Sequence, residues 1–187
     1  MPAQSFLVAF ALVLLMELGD KTMLTTMCLS AQSHRPWIVL LATMSALVTA
    51  TAVGVLIGTT LYTILPLDLL STIAGVIFLI LGVYSLSISS LEDTIDCKNP
   101  CTVSSMFSFI LISELGDKSQ LAILALSAQS SLPILVFAGA VLAFLTVNAV
   151  AVFAGTGLAL RVKARHIRVA SGVIFVVFGL LITTGIL

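Results

Sequence analysis

Six stretches long and apolar enough to cross a bilayer dominate this sequence, at residues 4–31, 37–62, 69–90, 102–128, 133–160 and 169–186. A spanning helix needs about 20 mostly apolar residues, and each stretch supplies them. Their hydrophobicity is continuous rather than alternating, which predicts helices and not the strands of a lipid-facing barrel. The connections between them are too short for a separate soluble domain. Charge makes the same argument from the other side. The 187 residues carry eight Lys/Arg and eight Asp/Glu, whereas a soluble domain of this length would carry about 47 charged residues. The balanced signs exclude nucleic acid as a partner and leave the lipid bilayer. The expected fold is an all-α integral membrane protein, with residues 1–187 as a single membrane domain.

No Lys or Arg precedes the first apolar run, so that run reads as a retained first helix rather than a signal peptide. The first, third and fifth loops hold Arg35, Lys98, Arg161, Lys163, Arg165 and Arg168, and the second and fourth loops and both termini hold no Lys or Arg. The positive-inside rule therefore puts the odd loops in the cytoplasm and both termini outside.

The chain is also duplicated. Sliding it by the interval from Glu17 to Glu114 aligns Glu17-Leu18-Gly19-Asp20-Lys21-Thr22 with Glu114-Leu115-Gly116-Asp117-Lys118-Ser119. The same register pairs Leu29–Ser33 with Leu126–Ser130, Pro36 with Pro133 and Gly58 with Gly155, and makes 21 of the 45 positions from Glu17 to Leu61 identical. The halves are 4–90 and 102–187, joined by a loop at 91–101. Each has three spans, an odd number, so the second must enter the membrane from the opposite side. This predicts six transmembrane helices as two inverted three-helix repeats, the plan of many transporters, with a site near the midplane where the halves meet.

Both hexads fall near the middle of a span, where an ionised side chain costs about 3 kcal/mol or more. Such groups must face inward and find partners. Spacing i, i+3 puts Glu17 and Asp20 on one helix face, and Glu114 and Asp117 likewise. Gly19 and Gly116 would permit close backbone approach or local unwinding. Inverted symmetry then predicts four carboxylates together, with Lys21 and Lys118 holding them apart or standing in for a cation. Four acids and two ammonium groups leave a charge that one divalent cation neutralises. Thr22, Thr25, Thr26, Ser119, Gln120 and Asn148 add oxygens. An all-oxygen set suits Mn²⁺, Ca²⁺ or Mg²⁺ rather than Zn²⁺ or Cu, and neither His34 nor His166 lies within a span. Crowded carboxylates out of water should hold protons when no metal is present, so an arriving cation should displace them.

Two copies of E-x-G-D-K-[T/S], one per three-span half, resemble the manganese/calcium exchanger family of the lysine-exporter superfamily, which includes bacterial manganese exporters of the MneA type. The resemblance covers essentially the whole chain. It implies that Glu17, Asp20, Glu114 and Asp117 form the cation site, with Thr22 and Ser119 as hydroxyl candidates. It further implies Mn²⁺ export in exchange for H⁺ across a bacterial inner membrane, the metal being substrate and no cofactor being required.

Other readings are a Ca²⁺/H⁺ antiporter, an amino-acid exporter of the same superfamily, and a passive cation channel with an acid ring. A membrane thiol oxidoreductase needs paired cysteines inside the spans, yet Cys28 aligns with Ala125. Asn148 is either a ligand or a hydrogen-bonding group between helices. Gln32 and Gln129 read as helix-end groups, and Gly54-x-x-x-Gly58, like Gly75 with Gly82, as close helix packing. Met16, Met23 and Met27 read as apolar fill. The third loop, with Glu92, Asp93, Asp96, Cys97, Lys98 and Cys101, reads as a solvated linker.

Overall fold

The computed structural model describes residues 2–18, 20–33, 35–87, 102–115, 117–154 and parts of 173–182. The described residues are helical with no strand, in seven elements: α1 (Pro2–Glu17), α2 (Lys21–Ser33), α3 (Pro36–Ile64), α4 (Leu67–Ser87), α5 (Val103–Glu114), α6 (Lys118–Gln129) and α7 (Pro133–Ala154). Proline sets several boundaries. Pro36 and Pro133 open α3 and α7, where a missing N–H costs nothing, and Pro66 separates α3 from α4. Thr102 caps α5 in a reciprocal pair with Ser105.

Two of the described helices, α3 and α7, are by themselves long and apolar enough to cross a membrane. The first and fourth apolar stretches do not form continuous helices. Each is divided at its hexad into two short helices, α1 with α2 and α5 with α6. This corrects the expectation that Glu17 shares a helix face with Asp20, and Glu114 with Asp117. In both places the backbone takes one tight turn, with the Asp20 N–H donating to the Glu17 carbonyl at 3.2 Å and that of Asp117 to Glu114 at 3.1 Å. The next helix starts at once, as Leu24 N–H bonds the Asp20 carbonyl and Leu121 N–H the Asp117 carbonyl, each at 3.1 Å. The local sequence explains the break. Glycine weakens a helix interior by about 1 kcal/mol, and the aspartate that follows is a favoured N-cap residue. Gly19 and Gly116 themselves lie outside the described residues, as do the third loop and the basic cluster 161–168.

The halves interlock. Helix α1 packs along α7 and α5 along α3, while α2 packs on α7 and α6 on α3. Exchanging α1 with α5, α2 with α6 and α3 with α7 maps this scheme onto itself. Small residues allow the approach: a Cβ on Gly139 of α7 would lie 2.5 Å from the Phe6 carbonyl of α1, and one on Gly58 of α3 would lie 2.6 Å from the Leu124 carbonyl of α6. Buried Ala9, Ala42, Ala46, Ala140 and Ala143 continue that theme beside Val13, Leu47, Ile110, Ile123 and Phe144. Large apolar side chains cover the outside as well, with Leu41, Leu56, Ile80, Ile112 and Ile134 all more than half exposed. Helices apolar on both faces suit a lipid surround.

Candidate metal centre

The broken helices deliver the acids of both hexads to one place. Glu17 ends α1 and Glu114 ends α5, while Asp117 precedes α6 as its N-cap residue. The Asp117 carboxylate faces the first backbone N–H groups of its own helix, those of Lys118 and Ser119, without closing a full capping bond. Carboxylate oxygens of Glu17, Glu114 and Asp117 lie within 4.8 Å of one another. Three oxygens spread evenly around a cation at 2.3–2.6 Å are about 4.0–4.5 Å apart, so small side-chain movements would bring all three onto one ion.

Glu17 is fully buried, and neither of its oxygens has a hydrogen-bond partner among the described residues. Glu114, 3% exposed, accepts a hydrogen bond from the Thr22 hydroxyl of the other half. The repeat counterpart of Thr22 is Ser119, whose hydroxyl faces Glu17 across the same boundary without closing a hydrogen bond. Each glutamate is thus approached by a hydroxyl from the opposite half. An isolated buried carboxylate costs several kcal/mol, so Glu17 calls for a positive occupant.

Asp20 departs from the expected four-carboxylate cluster. It pairs instead with Lys118 of the other half, Nζ to Oδ1 2.7 Å, because the start of α6 brings that ammonium beside the start of α2. The pair is partly open, with side chains 29% and 20% exposed, where the two glutamates are sealed. Of Lys21, the described structure gives the backbone only.

The remaining candidates look elsewhere. Gln120 donates from its amide to the Ala50 carbonyl of α3 at 2.6 Å. Asn148 accepts from the Thr26 hydroxyl at 3.0 Å and donates to the Phe144 carbonyl at 2.9 Å. One turn further along α2, Ser30 donates to the Val152 carbonyl at 3.1 Å. The Thr26–Asn148 and Ser30–Val152 bonds join α2 to α7, the interhelical role that the sequence left open for Asn148. Thr26→Val should therefore destabilise the protein by about 1–2 kcal/mol, since it leaves the Asn148 carbonyl without its donor, while Mn²⁺ affinity stays unchanged. Thermal unfolding and metal titration in detergent check both halves of that statement; a large loss of affinity would return Asn148 to the ligand set. Cys28 is disulfide-bonded, a covalent link that the sequence reading did not anticipate; Cys97 and Cys101 lie outside the described residues.

The buried, unpartnered glutamate amid two further carboxylates is chemistry for holding a hard cation. Comparison with known proteins agrees in kind. The family model described as "Divalent cation/proton antiporter GDT1" matches residues 5–93 and 102–185. The chain belongs to this GDT1 family. The match passes over residues 94–101. A GDT1-like protein of Synechocystis, sll0615, is 27% identical, the match covering 93% of this chain and 94% of the relative. The divalent cation/proton antiporter GDT1 of Saccharomyces cerevisiae is 26% identical over 95% of this chain and 82% of its own length. The chloroplastic PAM71-homolog of Arabidopsis thaliana is 28% identical over 92% of this chain and 57% of the relative. No solved structure matches significantly. The GDT1 family is one of antiporters, so the chain is a transporter rather than an enzyme, with divalent cations and protons as the family's substrates.

Proposed function

We propose that this chain exports Mn²⁺ in exchange for H⁺, with Glu17, Glu114 and Asp117 holding the ion and Asp20, Lys118, Thr22 and Ser119 shaping the site. The observation that carries this reading is the fully buried Glu17, both oxygens unpartnered among the described residues, with oxygens of two more carboxylates within 4.8 Å. Such a cluster is stable only with a cation or with protons in it, and exclusive occupancy by one or the other couples the two flows. Mn²⁺ is put ahead of Ca²⁺ by the motif's resemblance to manganese exporters. The reading includes six spans arranged as two inverted repeats in a bacterial inner membrane, with the odd loops cytoplasmic and both termini outward. The paired hexads at broken helices support it, because interrupted spans in corresponding positions of two halves are where such transporters bind their ions.

The test is flux in proteoliposomes under an imposed pH gradient, with Mn²⁺, Ca²⁺ and Mg²⁺ compared. Vesicles acidic inside should accumulate Mn²⁺, and collapsing the gradient should abolish that accumulation. Metal binding by the purified protein should release protons, seen as a binding heat that changes with the ionisation enthalpy of the buffer. Uptake that ignores the pH gradient and scales with voltage would make the protein a channel instead. Faster Ca²⁺ than Mn²⁺ exchange would reassign the substrate.

A further inference from the structure

Helix α2 carries a row of hydroxyls that runs away from the carboxylates. Thr22, Thr26 and Ser30 recur at every fourth residue and so share one helix face, and all three are buried. Each donates to another helix: Thr22 to Glu114, Thr26 to the Asn148 amide oxygen at 3.0 Å, and Ser30 to the Val152 carbonyl at 3.1 Å. The last two bonds climb α2 and α7 in step, toward the ends of these helices at Ser33 and Ala154. The row therefore starts at Glu114, with the unpartnered oxygens of Glu17 beside it, and leads out of the site. The other half has no such row. The corresponding positions on α6 are Ser119, Ile123 and Ser127, and the fully buried Ile123 interrupts them. Thr51, the counterpart of Asn148, turns its hydroxyl back to the Leu47 carbonyl of its own helix at 2.7 Å. The Ser127 hydroxyl has no partner among the described residues. Gly58 brings the α3 backbone hard against it, since a Cβ there would lie 2.8 Å from the Ser127 Cβ.

We propose that the divalent cation passes between the carboxylates and the ends of α2 and α7 along this row. Thr22, Thr26, Asn148 and Ser30 serve as successive oxygen ligands while α2 parts from α7. A hard cation surrenders its water only to other oxygens. Hydroxyls four residues apart are separated by about 6 Å along a helix, so an ion midway lies about 3 Å from both. The seam that has to open is closed by hydroxyl and amide hydrogen bonds, which hold helices together only weakly in a membrane because the parted groups find other partners. At the α3–α6 crossing, Ile123 and the close backbone at Gly58 leave an ion no continuous row to follow. The hydroxyls of α2 act on the ion in passage and not at rest, which agrees with the hydrogen bonds they make to protein groups here. The inference rests on the Mn²⁺/H⁺ reading of the same site.

The test separates rate from affinity, with purified protein for Mn²⁺ binding and proteoliposomes for exchange. Thr26→Val and Ser30→Ala should each slow exchange by about tenfold, because the ion in passage loses one oxygen contact and a barrier rises. Both should bind Mn²⁺ with the affinity of the parent. Thr26→Ser keeps the hydroxyl and should recover most of the loss. Ser127→Ala makes the same change in the other half and should leave exchange unaltered. Retained binding shows that a variant is folded, and exchange is measured well below its melting temperature, so lost stability alone moves neither readout. Parent-like exchange in Thr26→Val and Ser30→Ala would mean that the ion does not use the row. Thr26→Ser as slow as Thr26→Val would overturn the proposal too, since packing and not the oxygen would then matter. Equal slowing by Ser30→Ala and Ser127→Ala would remove the distinction between the two crossings on which it stands. Lost affinity in Thr26→Val or Ser30→Ala would make the row part of the resting site instead of a path. A parent protein that neither bound nor exchanged Mn²⁺ would overturn the functional reading on which this one rests.

Discussion

Glu17→Gln should abolish Mn²⁺/H⁺ exchange, by about 100-fold or more, and leave the protein at least as heat-resistant as the parent. The two effects share a cause. Glu17 is buried completely, with no hydrogen bond to either oxygen among the described residues. Ionised or protonated, a carboxyl buried without partners costs stability, and a replacement of the same volume that gains a partner removes that cost. Glutamine matches the shape, and the Ser119 hydroxyl that faces the position gives the new amide an acceptor. The carboxylate therefore costs stability, and its retention in the interior makes sense only through its ligand. The measurements are a melting curve in detergent with and without Mn²⁺, and exchange in proteoliposomes. The parent should gain stability with metal by mass action, whereas Glu17→Gln should start higher and not respond. A variant that melted several degrees lower and still answered to Mn²⁺ would show Glu17 to be a structural group and move the ion site elsewhere.

The gathering of the glutamates was legible in the sequence for a physical reason. Charges are so expensive within an apolar span that their positions carry information, and a duplicated pattern leaves two such positions to meet. The division of the first and fourth stretches was half legible. Glycine followed by aspartate in the middle of an apolar run is a helix stop followed by a helix start, and the glycines do suggest unwinding. The i, i+3 argument nevertheless assumed an intact helix, and it gave Glu17 and Asp20 a shared face that the turn after Glu17 removes. Local spacing rules hold only while the helix continues.

The Asp20–Lys118 pair was not legible at all. Nothing in either hexad distinguishes Asp20 from Asp117 or Lys21 from Lys118. Sequence symmetry offers either aspartate to the glutamates and either lysine as a partner across the halves. The choice of which aspartate joins the glutamates belongs to conformation and has no residue to announce it. The hydrogen bonds of Asn148 with Thr26 and of Gln120 with Ala50 were hidden for a simpler reason. An amide within a span needs a partner, but its place in the sequence does not say which helix supplies one.

Gly58→Val should be the most damaging substitution away from the acids, lowering exchange by about 100-fold while every carboxylate stays in the chain. Gly58 lies where α3 crosses α6, and a Cβ there would lie 2.6 Å from the Leu124 carbonyl, 2.8 Å from the Ser127 Cβ and 3.1 Å from the Ala128 N. Two of those three atoms are backbone, so no side-chain rotation relieves the clash. Helix α6 must retreat by about 1 Å to restore ordinary contact, with overpacking costing about 1–3 kcal/mol. Leu124 is six residues from Lys118, about 9 Å along a rigid helix, so the displacement reaches the end of α6 that carries Asp117, Lys118 and Ser119. A shift of that size is a large fraction of the bond between a cation and its ligands. Gly54→Ala is the control, because the atoms nearest its added Cβ belong to the Gln120 amide group. That amide can turn aside at the cost of its bond to Ala50, about 1 kcal/mol, leaving α6 in place. The expected order of exchange rates is therefore parent, then Gly54→Ala close behind, then Gly58→Val far below. Equal rates for the two variants would mean that α6 does not transmit its packing to the ion site, and that the close crossing with α3 serves stability alone.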